Sequence, residues 1–151
     1  MITLKKTLIA SSILAFTTVI NFSIASEGDL SKLSAAKGSL KLVMQGLLVD
    51  TQQLTEAMFM EDFANIEQIA KNIADHPKPS METRKKLMKA MGAEMAKFKA
   101  NDDVVHESAV AMVKNAQNKD IKAIGKNFQT MIGGCVSCHS EFKAKVSTIF
   151  K

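Results

Sequence analysis

Cys135-Val136-Ser137-Cys138-His139 places two thiols three residues apart and an imidazole directly after the second. This is the Cys-x-x-Cys-His pattern of covalent haem attachment. On a helix, residues three apart share a face, so both sulfurs can reach the two vinyl groups along one porphyrin edge, and His139 is then carried beneath the iron. Three other uses of the pair compete. Zinc needs about four ligands and would have to recruit His76 and His106 from distant segments. A thioredoxin-like pair belongs at a helix N-terminus beside a sheet, where the dipole lowers the thiol pKa; this pair falls deep in a helical pattern with no strands nearby. A disulfide would distort a regular helix to close so short a loop. The chain has 2 cysteines in 151 residues, so no framework of bridges staples the fold.

The elements that must position this motif are helical. Past the first segment, apolar residues recur at spacings of three and four rather than alternating. The pattern predicts a first helix from about Leu30 to Met58, with Leu33, Leu40, Met44, Leu47, Leu48, Leu54 and Met58 as its inward stripe. A second follows Glu61-Asp62, turns Phe63, Ile66, Ile69, Ala70 and Ile73 inward, and is stopped by Pro77 and Pro79. A short basic helix is expected from Met81 to Met91, loosened at Gly92. The next runs from about Ala93 to Asn118 and buries Val105, Ala109, Met112 and Val113. The last starts near Lys119-Asp120 and presents Ile121, Ile124, Phe128, Met131, Cys135, Cys138, Phe142 and Val146 on one face. Four principal helices with short connections predict an all-α, antiparallel four-helix bundle. Ten methionines without Trp or Tyr suit a core of flexible side chains moulded around something large and flat.

The N-terminus reads as an export signal. Lys5 and Lys6 form a basic region, Leu8 to Ile20 an apolar one, and Ser23-Ile24-Ala25 a small-x-small cleavage site. The apolar run is shorter than the roughly 20 residues a spanning helix needs, so cleavage rather than stable membrane insertion is expected. The predicted division is a signal peptide over 1–25 and one domain over 26–151. Cleavage removes both of those lysines and no acids, taking the formal charge from +5 to +3. The remaining lysines are scattered, without the dense basic block or interleaved aromatics of a nucleic-acid surface. Export agrees with the motif, because c-type haem is attached outside the cytoplasm.

An exported four-helix chain with Cys-x-x-Cys-His about a dozen residues from its C-terminus resembles the class II c-type cytochromes, the cytochrome c′ and cytochrome c-556 family. The resemblance covers roughly residues 40–146. It implies one haem c, thioether-linked to Cys135 and Cys138, with His139 as proximal iron ligand; Lys143 matches the basic residue often found one turn later. The family splits at the other face of the iron. Cytochromes c′ leave it five-coordinate in an apolar pocket, whereas c-556-like members supply Met from the first helix. Met44 occupies about that position, and the alternative for it is a core methionine on an apolar stripe. Without a Met44 ligand, Leu40, Leu47 and Leu48 are expected to line a distal pocket for nitric oxide or carbon monoxide. Met58 and Met60 are expected to be packing or surface residues, and His76 and His106 structural or solvated ones. The segment from Met81 to Gly92 does not map cleanly onto the family.

The expected function is periplasmic electron transfer through ferric and ferrous haem, tuned by axial ligand and burial. Gas binding is the alternative. An enzymatic role of peroxidase type would need positioned distal acid or base groups where the stripe around Met44 is apolar. Lys119, Lys122, Lys126, Lys143 and Lys145 are the residues expected to steer acidic redox partner proteins. A homodimer through the first two helices is implied by resemblance alone.

Overall fold

Over residues 39–150, which the computed structural model describes, the chain forms α1 (Leu40–Phe59), α2 (Phe63–Ala74), α3 (Met81–Met91), a 3-10 turn (Gly92–Glu94), α4 (Met95–Gln117) and α5 (Ile121–Ile149). The predicted signal peptide, the start of the predicted first helix and Leu33 lie outside the described residues. The described part is all-α, with α1, α2, α4 and α5 as the four principal helices. No helix among the described residues is long and apolar enough to cross a membrane.

Two turns of the same design reverse the chain. After α1, the N–H of Glu61 donates to Met58 O and that of Asp62 to Ala57 O. After α4, Lys119 donates to Ala116 O and Asp120 to Asn115 O. Each pair is a Schellman closure, which satisfies the last carbonyls of the helix. Glu61 (φ 51°) and Lys119 (φ 54°) hold the left-handed position normally given to glycine. The next residue then starts the following helix. Asp62 accepts from Asn65 N at 3.2 Å, and Asp120 from Ala123 N at 3.0 Å. Such short links make α1–α2 and α4–α5 antiparallel hairpins. Ser80 caps α3 in the same way, accepting from Thr83 N at 3.2 Å.

The hairpins join through α2 and α4: α1 packs on α2, α2 on α4, and α4 most extensively on α5, whereas α1 and α5 share no extended backbone contact. The main core collects Leu54, Ile66, Ile73, Met112, Ile124 and Met131, all fully buried. A second core, Leu87, Met91 and Phe142, fastens α3 to α5, with Phe98 set edge-on to Phe142 at 5.5 Å between ring centroids. Helix α3 matches its predicted bounds, and the 3-10 turn delays α4 by two residues relative to the expected start.

The inward stripe of α1 differs from the expected one. Val43, Leu54 and Ala57 are its buried residues, with Leu47 and Met58 packed against the main core. Leu48 is 58% exposed and Met44 37% exposed. Leu40, Met44 and Leu48, four apart, form a second apolar stripe, of which Leu40 packs against the core of Leu87, Met91 and Phe142.

Candidate cofactor site

The sequence around the cysteines lets α5 come unusually close to α4. A Cβ built on Gly134 would lie 3.1 Å from Val104 Cγ1 and 3.3 Å from both Asn101 O and Val105 Cγ2. A side chain one residue before Cys135, where the two helices cross, would therefore press on α4, and Val104, Val105 or the Asn101 carbonyl would have to give by a few tenths of an ångström to admit it. The crossing sets the height of both thiols against α4. Cys135 packs on the main core and Cys138 on the second core, so the pair spans the seam between them.

Both sulfurs are free thiols in half-buried positions. Burial raises the pKa of Cys135. Cys138 is pushed up to about 11, first by burial and then by the nearby negative charges of Asp102, Cys135 and Glu141. Near neutral pH both are neutral thiols. They are thus unlike the low-pKa cysteine of a redox-active pair, which needs an electropositive setting.

Beside Cys138 opens a cleft of about 840 Å³, within the range of about 300–1,000 Å³ usual for ligand sites. Cys138, His139, Phe142 and Val146 line it from α5, Leu40 and Met44 from α1, and Phe98 from α4. Ser80, Thr83 and Lys86 close it from the α3 side, and Lys41 and Lys143 add two further cations to its lining. The mostly apolar lining with a few polar groups suits a flat apolar cofactor with a charged edge. Thiols three apart on one helix, an adjacent imidazole and a thioether from the facing helix make a donor set fitted to haem iron and its vinyl edge.

The structure brings Cys138, His139, Lys143 and Met44 to this one cleft, with Cys135 one turn above Cys138 on α5. It separates others. Met58 packs on the main core and Met60 is exposed at the α1–α2 turn. Of the three leucines expected to line a distal pocket, Leu40 lines the cleft, while Leu47 packs on the main core and Leu48 is exposed. A stripe spaced at three and four covers two adjacent faces of one helix, and these leucines fall on different ones.

His76 and His106 are occupied elsewhere. A carbonyl only accepts, so Nδ1 of each ring carries the proton: His76 donates to Ile73 O at 2.9 Å and His106 to Ala74 O at 3.0 Å. His76 Nε2 also faces Asp102 Oδ1 at 3.7 Å. The two rings tie the end of α2 to α4, and neither lines the cleft. No cluster of three or more His, Cys, Asp or Glu able to hold a bare metal ion occurs among the described residues.

Phe98, Thr83, Lys86 and Lys41 were not expected at the site. Phe98 carries no signal in the sequence, since a lone aromatic in a charged stretch reads as a surface residue. The contribution of α3 depends on how that helix folds back over α5.

A helical bundle with a mostly apolar cleft at a C-terminal Cys-x-x-Cys-His helix defines the class as a helical haem protein of the c type. A family model described as Cytochrome C′ matches residues 24–143, and the chain belongs to the cytochrome c′ family. Membership implies haem c binding. No curated protein and no solved structure matches the chain.

Proposed function

We propose that this protein is a periplasmic mono-haem electron carrier, with haem c thioether-linked to Cys135 and Cys138, His139 as proximal ligand and Met44 as distal ligand. One observation carries the reading: Met44 of α1 and His139 of α5 line the same cleft, between two helices that share no extended backbone contact. When bound, the haem supplies one-electron ferric and ferrous cycling. The chain supplies the rest. Cys135 and Cys138 hold the vinyl edge, and Phe98, Phe142, Val146 and Leu40 exclude water. Lys41, Lys86 and Lys143 offer positive charge to the polar edge. Met44 and His139 would hold the iron, and a Met ligand would raise its potential relative to harder ligands. Export is supported by the basic, apolar and small-residue order of residues 1–25, and by a family match that begins at residue 24.

The second reading is binding of nitric oxide or carbon monoxide at five-coordinate iron, supported by the cytochrome c′ description of the family and by the apolar lining around Met44. Absorption spectra of the ferric protein separate the two. The proposal predicts a low-spin spectrum with a sulfur-to-iron band at its red end, lost in Met44→Ala. It also predicts that reduced wild type takes up carbon monoxide slowly and Met44→Ala rapidly. A high-spin spectrum unchanged by the substitution would assign Met44 to packing and favour gas binding.

A further inference from the structure

Helix α3 has two faces of opposite character. Thr83, Leu87, Ala90 and Met91 turn inward, with Leu87 and Met91 buried against Phe142. Met81, Arg84, Lys85 and Met88, at i, i+3, i+4 and i+7, form one outward stripe in which two cations lie between two methionines that are 63% and 57% exposed. With Lys86 and Lys89, α3 carries four cations and one carboxylate, Glu82, which is spent on Lys86 at 2.8 Å. This cationic helix borders the cleft through Thr83 and Lys86.

The lysines of α5 are placed differently. Lys122 and Lys126 lie 17 and 13 residues before His139, which at the rise of an α-helix is about 20–25 Å from the site. Lys145 is paired with Glu94. Lys41 and Lys143 stand in the cleft lining itself, and Arg84 and Lys85 add two exposed cations on the outward stripe of the helix that borders it.

We infer that the outward stripe of α3 is the docking surface for an acidic one-electron redox protein; this rests on the proposed haem site. Cations around a small contact steer encounter and raise the association rate more than the affinity. Exposed methionines add an adaptable apolar centre that tolerates imperfect fit, as brief contacts require. One electron passes between the partner and the haem iron, with no bond made or broken. The stripe has no Phe, Leu or Trp to insert into lipid, which favours a protein surface over a membrane.

The test uses the haem-loaded protein and hexacyanoferrate(III), an anionic one-electron oxidant, with its rate of oxidation of the ferrous protein followed against ionic strength. Arg84→Glu with Lys85→Glu is compared with Lys122→Glu and Lys126→Glu, which changes the net charge equally. At low salt the α3 pair is expected to be roughly tenfold slower than wild type, with a flattened salt dependence, and the α5 pair within about twofold. Equal slowing by both pairs, or by neither, would overturn the inference, since only net charge or no charge effect would then act. Sedimentation with vesicles of equal parts phosphatidylglycerol and phosphatidylcholine is run alongside. Binding that the α3 pair abolishes would overturn the inference in favour of a lipid surface. Wild type without a haem spectrum would contradict the proposed function instead, so the two failures remain distinct.

Discussion

At the scale of single residues, the two glycines before the motif do different work. Gly133 is exposed with open space at its Cβ position, whereas Gly134 is buried against Val104 and Asn101. Alanine gains up to about 1 kcal/mol in helix propensity over glycine, and overpacking a close contact costs roughly 1–3 kcal/mol. Gly133→Ala is therefore expected to stabilise the protein, and Gly134→Ala to leave it unchanged or less stable; denaturant unfolding of the two variants measures the gap. Asp50 supplies a second prediction. It falls on the stripe of Val43, Leu47, Leu54 and Ala57, and burial raises its pKa above the usual 3.8. A raised pKa means that the folded state prefers the protonated acid, so this stabilising contribution is present at low pH and lost as pH rises through the folded value. Asp50→Asn is expected to stabilise the protein at neutral pH, with the gain vanishing near about pH 3, where aspartates are largely protonated. Equal gains at both pH values would contradict this. Cys135, Cys138 and His139 stand out in the sequence as the candidate site because the pattern lies in five consecutive residues. The role of Gly134 was not legible there, since a close approach is a property of two helices and α4 carries no mark of it. Asp50 hid the true seam of α1, because a carboxylate in the stripe moved the apparent apolar face toward Met44 and Leu48.

At the scale of elements, the helix ends are where local sequence speaks most clearly. Asp62, Ser80 and Asp120 cap α2, α3 and α5 where the expected starts fell, because a short side-chain acceptor satisfies backbone N–H groups with no help from the rest of the fold. The αL positions at Glu61 and Lys119 were not foreseen, since neither residue type signals φ above zero. Left-handed backbone costs a non-glycine residue roughly 1–2 kcal/mol, while glycine pays some of this back in chain entropy. Lys119→Gly is thus expected to raise stability by about 1 kcal/mol, read as a higher urea midpoint at constant slope. A lower midpoint would show that the lysine side chain contributes more than its backbone strain removes. The cross-helix ion pairs are a contrast: Lys97–Glu141 at 2.6 Å and Lys145–Glu94 join α5 to the α4 side on the exposed surface. Pairs of that kind contribute little individually.

At the scale of the whole molecule, the open side between α1 and α5 ties stability to the site. The all-α bundle was legible from the spacing of apolar residues, and the main core formed where Ile66, Ile73, Met112 and Ile124 were expected to face inward. The place of α3 was not legible, because its short inward stripe of Leu87 and Met91 does not reveal which helix it meets. The backbone of α1 contacts mainly α2, and its start carries Leu40 and Met44 into the cleft lining, so that segment is the part most dependent on whatever fills the cleft. Amide exchange in Cys135→Ser with Cys138→Ser, made without attached haem, is expected to be faster along the start of α1 than along α4 and α5, with protection of α1 restored in the haem-loaded wild type. Uniform exchange in all helices, unchanged by loading, would separate the cleft from the stability of α1.

Covalent attachment of haem at Cys135 and Cys138 is read from the mass of the denatured protein matured in cells carrying the attachment machinery. The expected result is the mass of the mature chain plus one haem, retained after unfolding, and its loss in Cys135→Ser with Cys138→Ser. An unmodified mass for the wild-type chain, matured in the same cells, would contradict it.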